Sequence, residues 1–138
     1  MNKNWEQFIN HHLLRDGFID GVLLFSLNLD LVYQHGVLKT MHSDEFTKFK
    51  KLFECVHDEV SRDALLKRGL YFTINSKEIK FVIRQLQTSS VCCITSRNDF
   101  GLVIVKFGFG ILVASHSYPI PSHVAVNQVQ DIIVMLCS

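Results

Sequence analysis

The chain has 138 residues, of which 48% are hydrophobic, and its formal net charge is +1 at pH 7. This length suits one domain with a proper core, and the hydrophobic content excludes a disordered chain. The near-neutral charge excludes an overall electrostatic field that would draw the protein to nucleic acid or to a bilayer.

The N-terminal segment as far as Asp16 is polar and contains no apolar run, so we expect no signal peptide. Lys106 interrupts the longest apolar stretch, and no segment therefore reaches the length that spans a bilayer. We expect a cytoplasmic protein whose cysteines are free thiols in a reducing compartment: Cys55, Cys92, Cys93 and Cys137.

The first predicted element is a helix over residues 4–14. Its apolar and aromatic side chains recur with helical spacing and form one stripe: Trp5, Phe8, Ile9, His12 and Leu13. Gly17 then supplies a left-handed C-cap. A continuous apolar run over residues 21–27 predicts a central strand, and residues 31–34 predict a short partner strand after a turn.

Two helices are predicted in the middle of the chain. Ser43 offers a capping hydroxyl, and two acidic residues follow it at the positive end of the helix dipole. The apolar stripe of that helix is Phe46, Phe49, Phe53 and Val56. A second, shorter helix is predicted over residues 62–67 and ends at Gly69.

Residues 69–115 predict five consecutive strands. In the second strand, Ile79, Phe81 and Ile83 share one face and Lys80, Val82 and Arg84 share the other. This period of two is typical of a strand that is buried on one face. Only a few residues separate the strands, so we expect an antiparallel meander. A final helix is predicted to begin near Pro121, with an apolar stripe of Val126, Val129, Ile132, Ile133 and Leu136.

This order of elements predicts one α+β domain over residues 1–138. We expect a central antiparallel sheet of about six or seven strands, with the N- and C-terminal helices on one face and the short helices on the other. No linker, repeat or low-complexity segment divides the chain.

No catalytic signature appears in the chain. Cys92 and Cys93 are neighbours in a predicted strand, so their side chains point to opposite faces, and neither has a local histidine signature. His11 and His12 face different ways, and there is no CxxC pair or glycine-rich phosphate loop. We therefore expect a protein that is not an enzyme and that uses no cofactor and no metal.

Several short segments follow the order and spacing of a known family. Trp5 and Phe8 match an opening Trp with an aromatic residue three positions later, and Val32-Tyr33 stands where that family commonly has Val-Trp. Val82-Ile83-Arg84 is identical to its Val-Ile-Arg strand. On these segments the whole chain resembles the profilin family. Residues 69–80 and 101–116 look closer to the divergent, testis-type profilins than to the ubiquitous ones.

The resemblance implies a groove for proline-rich segments between the two terminal helices. Trp5, Phe8 and Tyr33 fall on three of the aromatic groove positions, and flat rings pack well on a preordered polyproline II helix. The family's C-terminal His and Tyr are absent here, and Met135 is among the residues that replace them. The alternative is that Trp5 and Phe8 only anchor the first helix to the sheet.

The resemblance also implies a face that binds monomeric actin. Arg84 and Arg97 match basic residues of that face, and Lys106 and His116 are assigned to the same region. Ubiquitous profilins have a His-Gly-Gly loop followed by Asn and Lys, whereas residues 116–123 contain two prolines and no lysine. Two prolines stiffen the loop, which predicts weakened actin affinity. The alternative is that the two arginines form a solvated strand face that discourages aggregation.

Anionic phospholipids are a third expected partner, because profilins bind phosphoinositides. The candidate residues are Lys80, Arg84 and Arg97, of which Lys80 and Arg84 share one face of a strand. Further basic residues that we considered are Lys67, Arg68 and Lys77. The alternative is that all of these are scattered, solvated charges.

The resemblance therefore implies a monomeric cytoskeletal regulator that binds monomeric actin, proline-rich proteins or both, and no nucleic acid. Adaptors of the longin or roadblock type, which serve small GTPases or membrane traffic, share the layered architecture and are the alternative. Such adaptors generally lack the opening Trp helix and pair their sheets into dimers, so an obligate dimer would favour them.

Overall fold

The structure is a computed structural model that describes residues 3–137, and the side chains of residues 5–135. The first helix is α1 (Lys3–Ile9), which continues as a π-helical segment (Asn10–Leu14). The other helices are α2 (Asp44–Cys55), α3 (Glu59–Arg68) and α4 (Ser122–Cys137). The strands are β1 (Gly21–Ser26), β2 (Leu31–Gly36), β3 (Leu70–Ile74), β4 (Lys77–Leu86), β5 (Ser90–Ile94), β6 (Phe100–Phe107) and β7 (Gly110–Ser117).

An antiparallel sheet, with seven strands in the described residues, forms the centre of the molecule in the order β2-β1-β7-β6-β5-β4-β3. β1 pairs with β2 on one side and with β7 on the other, where Gly21 lies opposite Ser115. β3 to β7 follow one another as a meander, in which each strand pairs with the next. The predicted α+β fold and its five-stranded meander are thus confirmed.

Phenylalanine side chains fill the layer between the sheet and α2. Phe25 of β1 stacks on Phe46 at 4.7 Å, and Phe49 stacks on Phe72 of β3 at 4.3 Å, both measured between ring centroids. All four rings are buried. Because an aromatic pair contributes about 0.5–1.5 kcal/mol beyond the burial of its area, these pairs attach α2 firmly to the sheet.

The two terminal helices cover the opposite face of the sheet, as predicted. The first of them is not one regular α-helix, because residues 10–14 adopt a π-helical turn. Such a turn changes the backbone hydrogen-bond pattern of the helix. The side-chain amide of Gln128 in α4 donates to the carbonyl oxygen of His12 in this turn, and so joins the two terminal helices.

The starts of the two middle helices differ from the prediction. Ser43 has helical backbone angles and makes no side-chain cap, so its predicted capping role is wrong. The backbone N–H of Asp44 donates instead to His42 Nδ1 at 3.1 Å. α3 begins earlier than predicted because the carboxylate of Asp58 accepts from the backbone N–H of Ser61 at 3.3 Å and from its hydroxyl at 2.5 Å.

β4 contains a bulge at Arg84. Ile83 lies opposite Cys93 and Gln85 lies opposite Cys92, so Arg84 is the extra residue of β4. A bulge redirects the side chain that it carries and increases the local twist of the strand. The two cysteines lie on opposite faces of the sheet, as predicted, and both are buried.

α4 begins where the sequence predicts, and its apolar stripe faces the sheet through Val126, Val129, Ile132 and Ile133. The predicted contribution of Leu136 lies outside the described side chains, as does the thiol of Cys137. None of the helices described between residues 3 and 137 has the length and apolar character that crossing a membrane requires.

Candidate binding surfaces

Aromatic rings meet on the side of the sheet that the terminal helices cover. Trp5 of α1 lies 5.9 Å from Phe8 and 5.3 Å from Phe109, measured between ring centroids. Phe109 stands edge-on to Phe107 of β6 at 4.5 Å. Trp5 and Phe8 are half-buried and Phe109 is 44% exposed, so a ligand can reach these rings. We call Trp5 and Phe8, together with Tyr33 of β2 on which they pack, the aromatic surface.

Tyr33 of β2 belongs to the buried cluster on which Trp5 and Phe8 pack. Its side chain is only 8% exposed. Burial raises the pKa of its phenol, and the negative charge of the nearby Glu6 acts in the same direction. The structure therefore brings the three predicted groove residues together, with Tyr33 in the floor and the other two nearer to solvent.

α4 contributes aliphatic side chains near its C-terminal end. Met135 is 42% exposed and Val134 is 70% exposed. Residues 122–138 contain no Phe, Trp or Tyr. Met135 is therefore accessible, as the prediction requires, but it offers a ligand no flat ring.

Sequence reasoning missed Phe109. This residue lies in the turn between β6 and β7, where a side chain has no core to enter. The available signal was an aromatic residue flanked by Gly108 and Gly110, because an aromatic side chain in an exposed turn needs a neighbour or a ligand to cover it. The neighbour here is Trp5, which is far away in the sequence.

Arg84 and the start of α4 border one hollow on the same side of the sheet. The bulge in β4 directs Arg84 to the turn between β5 and β6, where its guanidinium donates to Asn98 Oδ1 at 3.1 Å. An exposed guanidinium suits a carboxylate or phosphate of a partner. The hollow has a volume of about 390 Å³ and is lined by Arg84, Gln85, Cys92, Ser122, His123, Val126 and Asn127.

Arg97 and Lys80 line a second hollow of about 410 Å³, which is formed by β4 and the turn between β5 and β6. Both side chains are exposed. Glu78 and Asp99 line the same hollow and partly offset its positive charge.

The structure brings the three phosphoinositide candidates into one region. Arg84 is hydrogen-bonded to Asn98, the sequence neighbour of Arg97, and Arg97 shares its hollow with Lys80. We call these three basic residues the basic face. Arg68 does not belong to it, because Arg68 lines a separate cavity between α2, α3 and β3.

His116 lies in the interior and not on the basic face. Its side chain is 1% exposed, with Nδ1 3.3 Å from the Ile120 carbonyl oxygen and Nε2 3.4 Å from Ser122 Oγ. Burial lowers the pKa of the imidazole, although the Ile120 carbonyl and the charge of Asp20 act in the opposite direction. His116 therefore holds the loop that leads into α4, and it does not present the direct partner contact that the resemblance implied.

Lys106 is exposed but lies far from the other basic residues. It is near the end of β6, opposite Ile111 of β7. Strand residues advance by about 3.3 Å each, so roughly 20 Å separates Lys106 from Phe100, beside the β5–β6 turn that carries Arg97. Alternation along β6 also puts Lys106 on the face of Leu102 and Ile104, beneath α2, whereas Arg84 lines the hollow at the start of α4. The structure therefore does not place Lys106 with Arg84 and Arg97.

The cysteine thiols of the meander are in surroundings that disfavour the reactive thiolate. Burial raises the pKa of Cys92, and the Ser122 hydroxyl and the charge of Arg84 oppose this effect only in part. Burial also raises the pKa of Cys93. Among the residues that the structure describes, no group of three or more His, Cys, Asp or Glu side chains could hold a metal ion.

Comparison with solved structures finds profilins of the same fold. Acanthamoeba castellanii profilin II superposes with a TM-score of 0.75 over 96% of this chain and 95% of its own, at 16% identity. LokiProfilin2, solved in complex with rabbit actin, has a TM-score of 0.70 over 99% and 97%, at 16% identity. Mouse profilin IIa, solved with a double repeat from the FH1 domain of mDia1, has a TM-score of 0.63 over 96% and 95%, at 11% identity.

Identities this low show the fold alone. A search of curated protein sequences finds no match. The evidence for the family comes from a family model, described as Profilin, which matches residues 3–138. Because this match spans nearly the whole chain, the protein belongs to the profilin family.

Proposed function

We propose that this profilin binds proline-rich segments through its aromatic surface and monomeric actin through its basic face. The observation that carries the proposal is the contact of Trp5 with Phe8 and Phe109 in a chain of the profilin family. Structural relatives support both classes of partner, since LokiProfilin2 was solved with rabbit actin and mouse profilin IIa with an FH1 repeat.

A proline-rich segment suits the aromatic surface because its polyproline II conformation is already ordered before binding. Its pyrrolidine rings pack on flat aromatic faces with little further loss of conformational entropy. Trp5 in addition carries an indole N–H, which can donate to a carbonyl oxygen of the ligand.

Actin binding is proposed to be weaker than in profilins with the His-Gly-Gly loop. Arg84 supports the binding itself, because it is exposed and lines one hollow with the start of α4. The loop before α4 is stiffened by Pro119 and Pro121, and the buried His116 ties it to the sheet. A loop held in this way adapts less to a partner than a glycine-rich loop does.

The basic face is also the proposed site for phosphoinositides and other anionic phospholipids, because each basic residue near an anionic membrane surface gains about 1 kcal/mol. We place the protein in the cytoplasm, with the cytoskeleton, as a monomer of the divergent, testis-type kind. It would act by mass action between its binding faces and not by catalysis. Family membership removes the reason to prefer a longin or roadblock adaptor.

Titration of the purified protein with monomeric actin, followed by binding and by the rate of filament assembly, tests the actin part of the proposal. We expect a dissociation constant in or above the micromolar range, where 1 μM corresponds to about −8 kcal/mol. An absence of binding at roughly a hundredfold higher concentration, where the affinity would be weaker than about −6 kcal/mol, would contradict it.

A further inference from the structure

We propose that Phe109 contacts the proline-rich ligand directly and sets the path of that ligand across the molecule. The ligand would cross from Trp5 of α1 to the turn between β6 and β7. This inference rests on the proposed binding of proline-rich segments, and it adds a residue and a direction to that binding.

The exposure of Phe109 is the first observation. A large apolar side chain that is 44% exposed loses much of the free energy that burial would supply, about 25 cal/mol for each Å² left in water. Exposed apolar groups that adjoin other apolar groups mark interaction sites more often than isolated ones do. Phe109 adjoins both Trp5 and Phe107.

The backbone fixes the position of this ring. The carbonyl oxygen of Phe109 accepts a hydrogen bond from the backbone N–H of Leu27 at 3.3 Å, which ties the turn to the end of β1. Gly110 lies so close to the carbonyl of Phe25 that a Cβ at this position would clash with it. The turn is therefore held at the carbonyl of Phe109 and at Gly110, which reduces the ordering that a ligand must impose on it.

The relative orientation of the rings suits a polyproline II helix. The planes of Trp5 and Phe109 are tilted by 51° at a centroid distance of 5.3 Å, so they present two faces that are not parallel. A polyproline II helix has three residues per turn, and successive prolines therefore point to different sides of it. Prolines on two sides of such a ligand can each meet one of these rings.

The end of α4 does not offer an equivalent surface. Its exposed side chains there include Val134 and Met135, and residues 122–138 contain no Phe, Trp or Tyr. A Met side chain has more rotamers to order than an aromatic ring has, so it gives less affinity for the same area. Phe109 therefore supplies a ring of the kind that the last helix lacks, in direct contact with Trp5.

Calorimetric titration with a synthetic proline decamer tests this inference. Phe109→Ala should weaken binding by about tenfold relative to the wild type, as loss of a central aromatic contact does at other interfaces. Phe109→Tyr keeps the ring and should bind within about twofold of the wild type. Tyr118→Ala removes an aromatic residue that is 79% exposed beyond the opposite end of β7, and should leave the affinity unchanged.

The fluorescence emission of Trp5, the single Trp of the chain, should shift to shorter wavelength when the decamer binds.

The outcomes separate this inference from the proposed function. If Trp5→Ala abolishes binding while Phe109→Ala binds as the wild type does, the aromatic surface is confirmed and the role of Phe109 is wrong. If the wild type does not bind the decamer at millimolar concentration, both proposals fail. Phe109→Leu keeps an apolar side chain but removes the ring. Thermal unfolding of this variant and of Phe109→Ala shows whether either variant is less stable than the wild type. A loss of binding that occurs only in a destabilised variant would also contradict a direct contact.

Discussion

Gly101 has no side chain, and this leaves room for the buried imidazole of His116. The two residues are opposite each other on β6 and β7, and a Cβ on Gly101 would lie inside van der Waals distance of His116 Nε2 and 3.0 Å from the Cys93 carbonyl oxygen. We expect Gly101→Ala to lower the free energy of unfolding by about 2 kcal/mol, because overpacking a core costs about 1–3 kcal/mol. Urea denaturation measures this difference.

Gly108→Ala is the matched control for that measurement. No heavy atom lies within 4 Å of a Cβ built on Gly108, and this position does not have a positive φ. The control should therefore unfold within about 0.5 kcal/mol of the wild type. Equal stability of the two alanine variants would show that His116 moves aside without cost.

The burial of His116 makes the stability of the protein depend on pH. The pKa of the imidazole is lowered in the folded state from its ordinary 6.5, so the unfolded chain binds the proton more tightly than the folded one does. The stability that His116 contributes is therefore complete above pH 6.5 and is lost as the pH falls through the folded-state pKa. Denaturation curves at pH 7.5 and 5.5 should show a larger loss for the wild type than for His116→Gln.

His123→Gln tests whether that loss comes from His116 alone. His123 is exposed at the start of α4, so its removal should leave the difference between the two pH values unchanged. A His116→Gln variant that loses as much stability on acidification as the wild type would assign the effect to other groups.

Reversing the charge at Arg84 tests the basic face. We expect Arg84→Glu to weaken actin binding at least tenfold, which corresponds to about 1.4 kcal/mol, because it replaces an exposed guanidinium by a carboxylate at an acidic partner. Lys51→Glu makes the same charge change on α2, on the other side of the sheet, and should bind as the wild type does. Unchanged actin binding by a folded Arg84→Glu protein would remove this face from the proposed site.

At the scale of elements, α2 protects the edge of the sheet at β3. Glu45 is 5% exposed, accepts from the backbone N–H of Thr73, and pairs with Lys48 at 2.8 Å. Lys48 in turn donates to the carbonyl oxygen of Tyr71 at 3.3 Å. An ion pair on α2 thus satisfies two backbone groups of β3 that a further strand would otherwise use.

Removing this carboxylate should destabilise the domain. We expect Glu45→Ala to lower the free energy of unfolding by about 2 kcal/mol, because a backbone N–H is left without its partner. Glu54→Ala removes an exposed acidic residue of the same helix and should change stability by less than about 0.5 kcal/mol. Equal urea midpoints for the two variants would show that water replaces Glu45 without loss.

Periodicity predicted most of the elements because each strand and helix has one buried face. It could not predict the bulge at Arg84, which breaks the alternation within β4 and is visible only from the pairing with β5. The residue type also predicted a helix cap at Ser43, whereas the backbone N–H of Asp44 donates to the side chain of His42. Local choices of this kind depend on neighbours that the local sequence does not identify.

At the scale of the whole molecule, α2 disfavours pairing of a second copy with the edge strand β3, since its side chains already occupy two backbone groups of that strand. We therefore expect a monomer of 15.9 kDa by sedimentation equilibrium, and Glu45→Ala should increase association if the edge is opened. A stable dimer of the wild type at micromolar concentration would contradict this expectation.

The candidate sites were predicted less completely than the fold. Trp5 and Phe8 could be read from the sequence because they belong to one helical stripe. The glycines beside Phe109 indicate an exposed aromatic residue, but its contact with Trp5 could not be predicted, because it depends on a turn about one hundred residues away reaching α1. The interior position of His116 likewise depends on Gly101 of the neighbouring strand, which no pattern within β7 reveals.

The position of β1 between β2 and β7 has a consequence for biosynthesis. During translation the β1–β2 hairpin leaves the ribosome early, but one side of β1 has no partner until β7, which ends at Ser117, has also emerged. For most of its synthesis the nascent chain therefore exposes the apolar segment 21–26, which is buried in the finished fold. Until β7 emerges, this segment is either bound by a chaperone or left unpaired on one side. The domain can close only after nearly all of it has been made.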